Sequence, residues 1–278
     1  MKLYQYGNTV LLGLLVSACG GGGGGDNSPS PQRNASVCYN EDLSAQGAEF
    51  TVDYSFRGQY AQEGEELVDL STLESEIYGF RVSNGSQVTF NNEPDIHQLS
   101  IFYRDPDING NLVENSTDPE FDFYKFDDDN KILTNLGYAY YVPSNDGTSA
   151  QYYENVYLPT GLEERYDLET NEEYSSGTIT RRTFIDGEYE GDITIEQATK
   201  FLGVQNITVN GKSYQACKMQ RSRTIAYSDF TSESTYVYYL GVGNGINLKS
   251  TFDAKYSDGN SYRSIRELTA ATINGKSL

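Results

Sequence analysis

The feature that most constrains the fold is a series of Asn-Gly and Asp-Gly pairs between short segments of alternating pattern. The segments are rich in Tyr, Phe, Val, Ile and Thr, which favour the extended backbone of strands. Asn-Gly and Asp-Gly adopt the positive φ angles of tight turns whose twist matches that of paired antiparallel strands. The pairs are Asn84-Gly85, Asp186-Gly187, Asn210-Gly211, Asp258-Gly259 and Asn274-Gly275. The sequence therefore predicts a mainly β fold, an antiparallel meander forming a curved sheet, a half-barrel or a sandwich.

Helix signals occur in two short segments. Thr194 and Gln197 have the spacing of a capping box, and Gly203 follows Leu202 where the helix would end. Ser71 to Ile77 is the second candidate. We therefore expect one or two short helices beside the strands.

The N-terminus has the organisation of a secretory signal peptide. Lys2 precedes the apolar run Val10 to Val16, which is too short to span a bilayer. The sequence Val16-Ser17-Ala18-Cys19 then resembles the lipobox of bacterial lipoproteins. That resemblance implies cleavage before Cys19, a thioether-linked diacylglycerol on its sulfur and acylation of the new amine, for example with palmitate. An ordinary signal peptide followed by an unrelated cysteine is the alternative.

A flexible tether follows the predicted lipidation site. Gly20 to Gly25 and the Ser/Pro-rich residues Asp26 to Pro31 can bury nothing. We therefore divide the chain into a signal peptide (1–18), a lipidated cysteine with its tether (19–37) and a single β-rich domain (38–278). Gly20 stands where enterobacterial lipoproteins retained in the inner membrane carry aspartate. This resemblance implies anchoring in the cell envelope, at the outer membrane rather than the inner one.

The remaining cysteines predict one disulfide. Once Cys19 carries lipid, Cys38 and Cys217 are the two cysteines left, and the envelope is an oxidising compartment. A bond between them would close a loop of almost 180 residues and stabilise the fold by about 4 to 5 kcal/mol in the chain-entropy model. Two buried thiols are the alternative.

The charge of the chain excludes one class of partner. Removal of residues 1–18 takes away only Lys2, which leaves 19 basic against 40 acidic side chains and a formal charge of −21. Such a surface repels phosphate backbones, so we expect no binding to nucleic acid.

The last third of the chain resembles uncharacterised β-rich envelope lipoproteins. The segments that carry the resemblance are Ile207 to Gly211, Tyr214 to Lys218, Tyr236 to Lys249 and Glu267-Leu268. In those proteins a glycine-valine-glycine segment joins two strands of a curved sheet, somewhat like the half-barrel of lipoprotein carriers. The resemblance implies a fold and a location, and it implies no activity.

No catalytic constellation stands out. His97 is the only histidine, which excludes a zinc site built from several histidines, and no G-x-S-x-G motif accompanies it. Gly241, Gly243 and Gly245 precede a strand-like segment rather than the helix that a phosphate loop requires. We therefore expect no enzyme. A glycosidase-like secreted hydrolase stays open as an alternative, because forty carboxylates can supply a catalytic pair.

One acidic loop has the opening pattern of a calcium site. Asp105, Asp107 and Asn109 place oxygen ligands at the first, third and fifth positions, with Gly110 at the sixth. The closing ligand is missing, because Ser116 occupies the twelfth position. A plain hairpin turn without metal explains the same residues, so calcium is the one cofactor that the sequence leaves open.

Tyrosines are the candidate ligand-binding residues. Tyr138 and Tyr140 share one face of a predicted strand, as do Tyr236 and Tyr238. Tyrosine suits a site that is apolar inside and wet at its rim. Packing in the core or pairing across strands is the alternative for the same rings. We therefore predict an envelope lipoprotein that binds a lipid-like or peptide ligand, or a partner, without catalysis. A purely structural or surface-interaction lipoprotein is the first alternative.

Overall fold

Antiparallel strands account for most of the computed structural model, which describes residues 34–70, 77–114, 119–143 and 150–278. A 3-10 helix (Ala35–Cys38) and the short helix α1 (Glu41–Ser44) precede the strands. The strands are β1 (Glu49–Ala61), β2 (Val68–Asp69), β3 (Ile77–Phe90), β4 (Glu93–Pro106), β5 (Leu112–Glu114), β6 (Glu120–Asp127), β7 (Ile132–Pro143), β8 (Ala150–Leu158), β9 (Leu162–Arg165), β10 (Glu173–Ile185), β11 (Glu188–Val209), β12 (Lys212–Ala226), β13 (Thr231–Gly241), β14 (Asn247–Tyr256), β15 (Ser261–Ile273) and β16 (Lys276–Ser277).

Twelve of these strands close into a barrel. Their order is β1-β3-β4-β6-β7-β8-β10-β11-β12-β13-β14-β15, and β15 pairs with β1 from Phe50 opposite Ile273 to Ala61 opposite Ser261. β9 continues the wall beyond β8 by pairing with β7. The prediction of a meander is confirmed, whereas the predicted half-barrel or sandwich is wrong. Closure satisfies the backbone donors and acceptors that two open edges would have exposed.

Four of the five predicted turns are confirmed. Asp186-Gly187, Asn210-Gly211 and Asn274-Gly275 have positive φ at both residues, and Gly259 has positive φ after Asp258. Asn84-Gly85 lies inside β3 instead. The Asn84 side chain is buried and donates to the carbonyls of Leu43, Ser44 and Ala45, so it caps α1 rather than making a turn.

The helix predicted from Thr194 to Leu202 is wrong, because these residues belong to β11. Ile195, Gln197, Thr199 and Phe201 are buried and alternate with more exposed neighbours, which is the period of a strand. Pairing with β10 and β12 outweighs the local capping signal. Of the second candidate, Ser71 to Ile77, only Ile77 lies within the described residues, and it begins β3. The predicted lipidation site Cys19 and the signal peptide before it also lie outside the described residues.

The N-terminal segment closes one end of the barrel. Cys38 is bonded to Cys217 on β12, with the Cα atoms 6.2 Å apart, so the predicted disulfide is present. Residues 34–37, predicted to end the tether, are instead part of the fold, since the Ala35 amide donates to the Leu168 carbonyl at 2.9 Å. The turn after β13 holds the segment too, because the Gly243 amide donates to the Val37 carbonyl at 2.9 Å. The glycine-rich segment Gly241 to Gly245 thus joins β13 and β14, as predicted. It also binds the N-terminal segment through a hydrogen bond.

A small cluster on the outer face steadies the long β3–β4 hairpin. The Phe90 ring near its tip stacks on Phe123 at 3.9 Å between ring centroids. Gly137 lies beneath the same ring, where a Cβ atom would come within 2.8 Å of Phe90 and 2.1 Å of the Asn155 carbonyl oxygen. Only glycine therefore lets the hairpin lie against β7.

Neither short helix in the described residues has the length or apolar character needed to traverse a bilayer.

Candidate ligand site inside the barrel

The barrel interior has two unlike halves. The packed half lies beside the N-terminal segment and is filled by side chains such as Phe201, Met219, Leu240 and Leu248, all with 0 % exposure. The open half lies beyond it and is lined by tyrosines and arginines. Arg181, Arg223, Tyr236, Phe252 and Arg266 there are only partly buried. Water therefore reaches the open half, which makes it the candidate ligand site.

All four candidate tyrosines face the interior. The rings of Tyr138 and Tyr140 stack at 6.0 Å, and those of Tyr236 and Tyr238 stack at 4.9 Å between centroids. They line a closed barrel, whereas the sequence predicted a curved sheet, a half-barrel or a sandwich. Tyr238, 1 % exposed, marks the boundary between the two halves.

A buried ion pair lies at that boundary. The Glu164 carboxylate on β9 contacts the Arg221 guanidinium, with side-chain exposures of 0 % and 6 %. The Tyr238 hydroxyl donates to the same carboxylate at 2.5 Å. Burial raises the pKa of Tyr238 to about 12 despite the nearby Arg221 charge. These contacts hold the Arg221 side chain in place under the open half.

Arginines are the site residues that the sequence prediction missed. Arg221 and Arg223 follow buried Cys217 and Met219 at every second position along β12, so all four share the inward face. Arg223 donates to Gln197 Oε1 at 3.0 and 2.5 Å. A basic residue in phase with buried apolar residues was the signal available in the sequence.

Two further arginines complete the lining. Arg181 on β10 donates to the Tyr138 hydroxyl at 3.1 Å. Arg266 on β15 lies over the rings of Phe56 and Tyr78, 6.0 and 5.4 Å from their centroids. Among the described residues, Arg221 forms an ion pair, whereas Arg181, Arg223 and Arg266 form none. The open half is therefore positively charged inside an acidic protein.

Two acidic side chains face the interior from β6. Burial raises the pKa of Glu120 and raises that of Asp122 well above its usual range. The Tyr103 hydroxyl donates to Glu120 at 2.9 Å. Burial thus disfavours the charged forms of both acids, which weakens their compensation of the arginine charge.

The candidate calcium residues lie in the β4–β5 hairpin. Asp107 accepts hydrogen bonds from the Asn109 and Asn111 amides at 2.8 Å each and from Asn111 Nδ2 at 3.3 Å. The carboxylate thus closes a turn without metal, and Asp105 pairs with Val113 across the hairpin. In the part of the chain that the structure describes, no three His, Cys, Asp or Glu side chains are grouped to hold a metal. Calcium binding stays a prediction from the sequence.

A second concavity lies around His97. It encloses about 400 Å³ and is lined by polar residues including Gln87, Asp95 and Lys125. The His97 ring packs edge-on against Phe126 at 4.8 Å, and burial lowers its pKa. The lining lacks the convergent buried donors of the barrel interior, so we take the open half as the site.

Comparison with known proteins gives structural neighbours of low similarity. No protein-family model and no curated protein matches the chain. A Bacteroides fragilis protein assigned as exported, with a YmcC-like fold, is 10 % identical, with a TM-score of 0.34 and coverage of 82 % of this chain and 96 % of that one. A Parabacteroides distasonis protein assigned as a lipoprotein is 9 % identical, with a TM-score of 0.35 and coverages of 81 % and 96 %. The hypothetical lipoprotein YmcC of Escherichia coli is 8 % identical, with a TM-score of 0.27 and coverages of 77 % and 86 %. At such TM-scores these resemblances carry no argument about this chain.

Proposed function

We propose that this protein is an envelope lipoprotein that holds a ligand in the open half of its barrel and does not act on it chemically. One observation carries the proposal: the open half is reached by water and lined by buried polar atoms without partners in the described residues, such as Arg221 Nε and Asn247 Oδ1. Buried polar atoms in native proteins are normally satisfied by protein, ordered water or a ligand, and in this proposal a bound ligand supplies the partners. A purely structural barrel would be expected to fill both halves alike.

The anchor in this proposal rests on the sequence. Cys19 follows a hydrophobic residue and two small ones, and a glycine-rich tether separates it from the fold. The described part of the chain starts at the packed end, away from the open half. Cys19→Ser is expected to move the protein from the membrane fraction to the soluble envelope fraction. Unchanged fractionation and an unchanged precursor mass would contradict the lipid anchor.

The ligand is tested with protein purified from the envelope of the cells that make it. Native mass spectrometry is expected to show a mass above that of the polypeptide and its anchor, which disappears on solvent extraction. The matched control is a variant with a filled interior, Ser250→Leu, since Ser250 is 1 % exposed and has no hydrogen-bond partner among the described residues. Empty wild-type protein, indistinguishable from this variant, would favour the structural or surface-interaction alternative.

A hydrolase is the second candidate, because Glu120 and Asp122 lie on one face of β6 with raised pKa values. A glycosidase needs one protonated and one ionised carboxyl. Burial raises the pKa of both, which suits the acid of such a pair better than its nucleophile or base. Release of product from chromogenic glycosides, abolished by Glu120→Gln or Asp122→Asn, would favour this candidate over passive binding.

A further inference from the structure

Four donor groups without partners in the described residues lie on neighbouring strands of the open half. They belong to side chains on β8, β10, β11 and β12, which follow one another around the wall. The groups are Asn155 Nδ2, Arg181 Nε, Thr199 Oγ1 and Arg221 Nε. Asn155, Thr199 and Arg221 are 2 %, 1 % and 5 % exposed, so bulk water does not solvate them freely. A ligand that satisfies this wall must present hydrogen-bond acceptors.

The same wall carries positively charged arginines whose hydrogen-bond partners are neutral side chains. Arg223 donates to the Gln197 amide oxygen, and Arg181 donates to the Tyr138 hydroxyl. Burial, together with the nearby charges of Arg221 and Arg181, lowers the pKa of Arg223 to about 10, partly offset by Tyr157 and Tyr138. The guanidinium group of arginine is charged at neutral pH in general, and among the described residues only Arg221 of these three has a carboxylate partner. Buried charge of this kind is costly unless an opposite charge joins it.

Apolar side chains border the charged wall. Ile179 and Ile195 are 1 % exposed and pack with Tyr138 and Tyr157. Ile193 and Ile225 pack against the same group and are partly exposed. Ile195 also lies opposite Ile225 across the β11–β12 pair, two residues from the Gln197–Arg223 pair. An occupant can therefore place an apolar body here while its head reaches the arginines.

We infer that the open half binds an amphipathic anion, a molecule with a carboxylate, phosphate or sulfate group on an apolar body. The anionic oxygens accept hydrogen bonds from Arg181, Arg223, Arg221 and the Thr199 hydroxyl. The apolar body lies against the isoleucines and tyrosine rings. The inference rests on the proposed function and adds the chemical class of the ligand. It runs against the overall composition, because the chain as a whole carries a formal charge of −20.

The chemical class of the ligand is tested by titrating the full mature chain after solvent extraction. The probes share the same alkyl chain length and are used below the concentrations at which they form micelles. Calorimetry with decanoate is expected to show binding at least tenfold tighter than with decanol or decyltrimethylammonium. Equal affinity for decanol and decanoate would overturn the role of the charge. Inorganic phosphate binding as tightly as decanoate would overturn the apolar body and identify a free anion as the ligand.

Matched variants locate the site. Arg181→Gln and Arg223→Gln are expected to weaken decanoate binding roughly tenfold to a hundredfold, the range for hydrogen bonds to a charged group. Arg182→Gln is the control, because Arg182 follows Arg181 on β10 but faces outward and pairs with the exposed Asp192. Equal weakening by Arg181→Gln and Arg182→Gln would overturn the inference, since only the overall charge would matter.

Thr199→Val separates binding from folding. The Thr199 hydroxyl has no partner in the described residues, so its removal is expected to leave the unfolding midpoint unchanged or raised while weakening decanoate binding severalfold. Unchanged binding by this variant would remove Thr199 from the site. If protein from the envelope carries a ligand but no anionic probe binds, the inference fails and the proposed function stands. If the protein is empty and no probe binds, both fail.

Discussion

The two halves of the barrel interior are built from the same strands but from different side chains. Along β12 the inward residues change from Cys217 and Met219 in the packed half to Arg221 and Arg223 in the open half. On β13 the change is from Leu240 through the buried Tyr238 to the partly buried Tyr236. The register of β12 against β13 is continuous across this boundary. In this pair of strands the side chains, not a change in backbone pairing, therefore decide which half is filled.

The difference assigns separate roles to the halves. The packed half excludes water from apolar side chains, which is the main source of stability in a domain. The open half keeps charges and unpartnered donors that reduce stability. Proteins tolerate such groups where they serve binding, provided that other regions stabilise the fold. The packed half, held by the disulfide, can fill that role.

Loss of the disulfide is expected to have the largest effect on stability. The bond joins residues 179 positions apart, which corresponds to about 5 kcal/mol in the chain-entropy model. Cys38→Ala combined with Cys217→Ala should lower the free energy of unfolding measured with urea by that order. Binding in the open half should survive under conditions where the variant is folded. Unchanged stability, or reactive thiols in the native protein, would show that the bond does not hold the packed half.

Truncation of a ring in each half compares the two directly. Phe50 is 1 % exposed in the packed half, and Phe50→Ala is expected to cost about 3 to 5 kcal/mol of unfolding free energy. Phe252 is partly exposed in the open half, where Phe252→Ala should cost less than half as much. Urea denaturation of both variants measures the difference. Equal losses would mean that the open half is packed as tightly as the other.

Alkaline pH tests the buried phenols at the boundary. Burial raises the pKa of Tyr238 from 10.0 to about 12, so the folded state resists ionisation that the unfolded chain permits. A raised folded-state pKa means that this contribution is intact below pH 10 and is lost as pH rises toward about 12. The loss is of the order of 2 to 3 kcal/mol for this residue. Tyrosinate absorbance and circular dichroism should change together, and Tyr238→Phe should reduce the pH dependence. Full ionisation with the β signal intact would contradict burial of the phenol.

The smallest effect is expected in the β4–β5 hairpin. The Asp107 carboxylate is already used by three hydrogen bonds within the turn, so millimolar calcium should leave the melting temperature unchanged. Asp107→Ala should destabilise the protein only slightly, because the turn is exposed. A calcium-dependent rise in melting temperature that Asp105→Ala with Asp107→Ala abolishes would instead establish the calcium site.

Local signals in the sequence predicted the fold class but not the closure of the sheet. Asn210-Gly211 and Asp186-Gly187 specify their turns through their own backbone preferences, which do not depend on the rest of the chain. Closure depends on β1 meeting β15, more than 200 positions away, and no local pattern encodes that pairing. Asn84-Gly85 shows the same limit, because its capping of α1 depends on residues about forty positions earlier.

The candidate site was predictable only in part. Tyr138 and Tyr140 were placed on one face by alternation alone, which requires only that the segment is a strand. Arg181 and Arg223 were missed because arginine on a strand usually faces water, and their inward direction depends on barrel closure. Glu164 could not be linked to Arg221 from sequence, since 57 positions and the intervening wall separate them.

The disulfide also determines how mechanical load enters the fold. Tension applied at Asn34 first meets the hydrogen bond from the Ala35 amide to the Leu168 carbonyl, and at Cys38 it passes through a covalent bond into the β11–β12–β13 wall. Force on that wall acts on many backbone hydrogen bonds at once, whereas without the bond the N-terminal segment could be pulled away residue by residue. Under force applied at the N-terminus, the packed end would therefore stay closed until strands of the barrel separate.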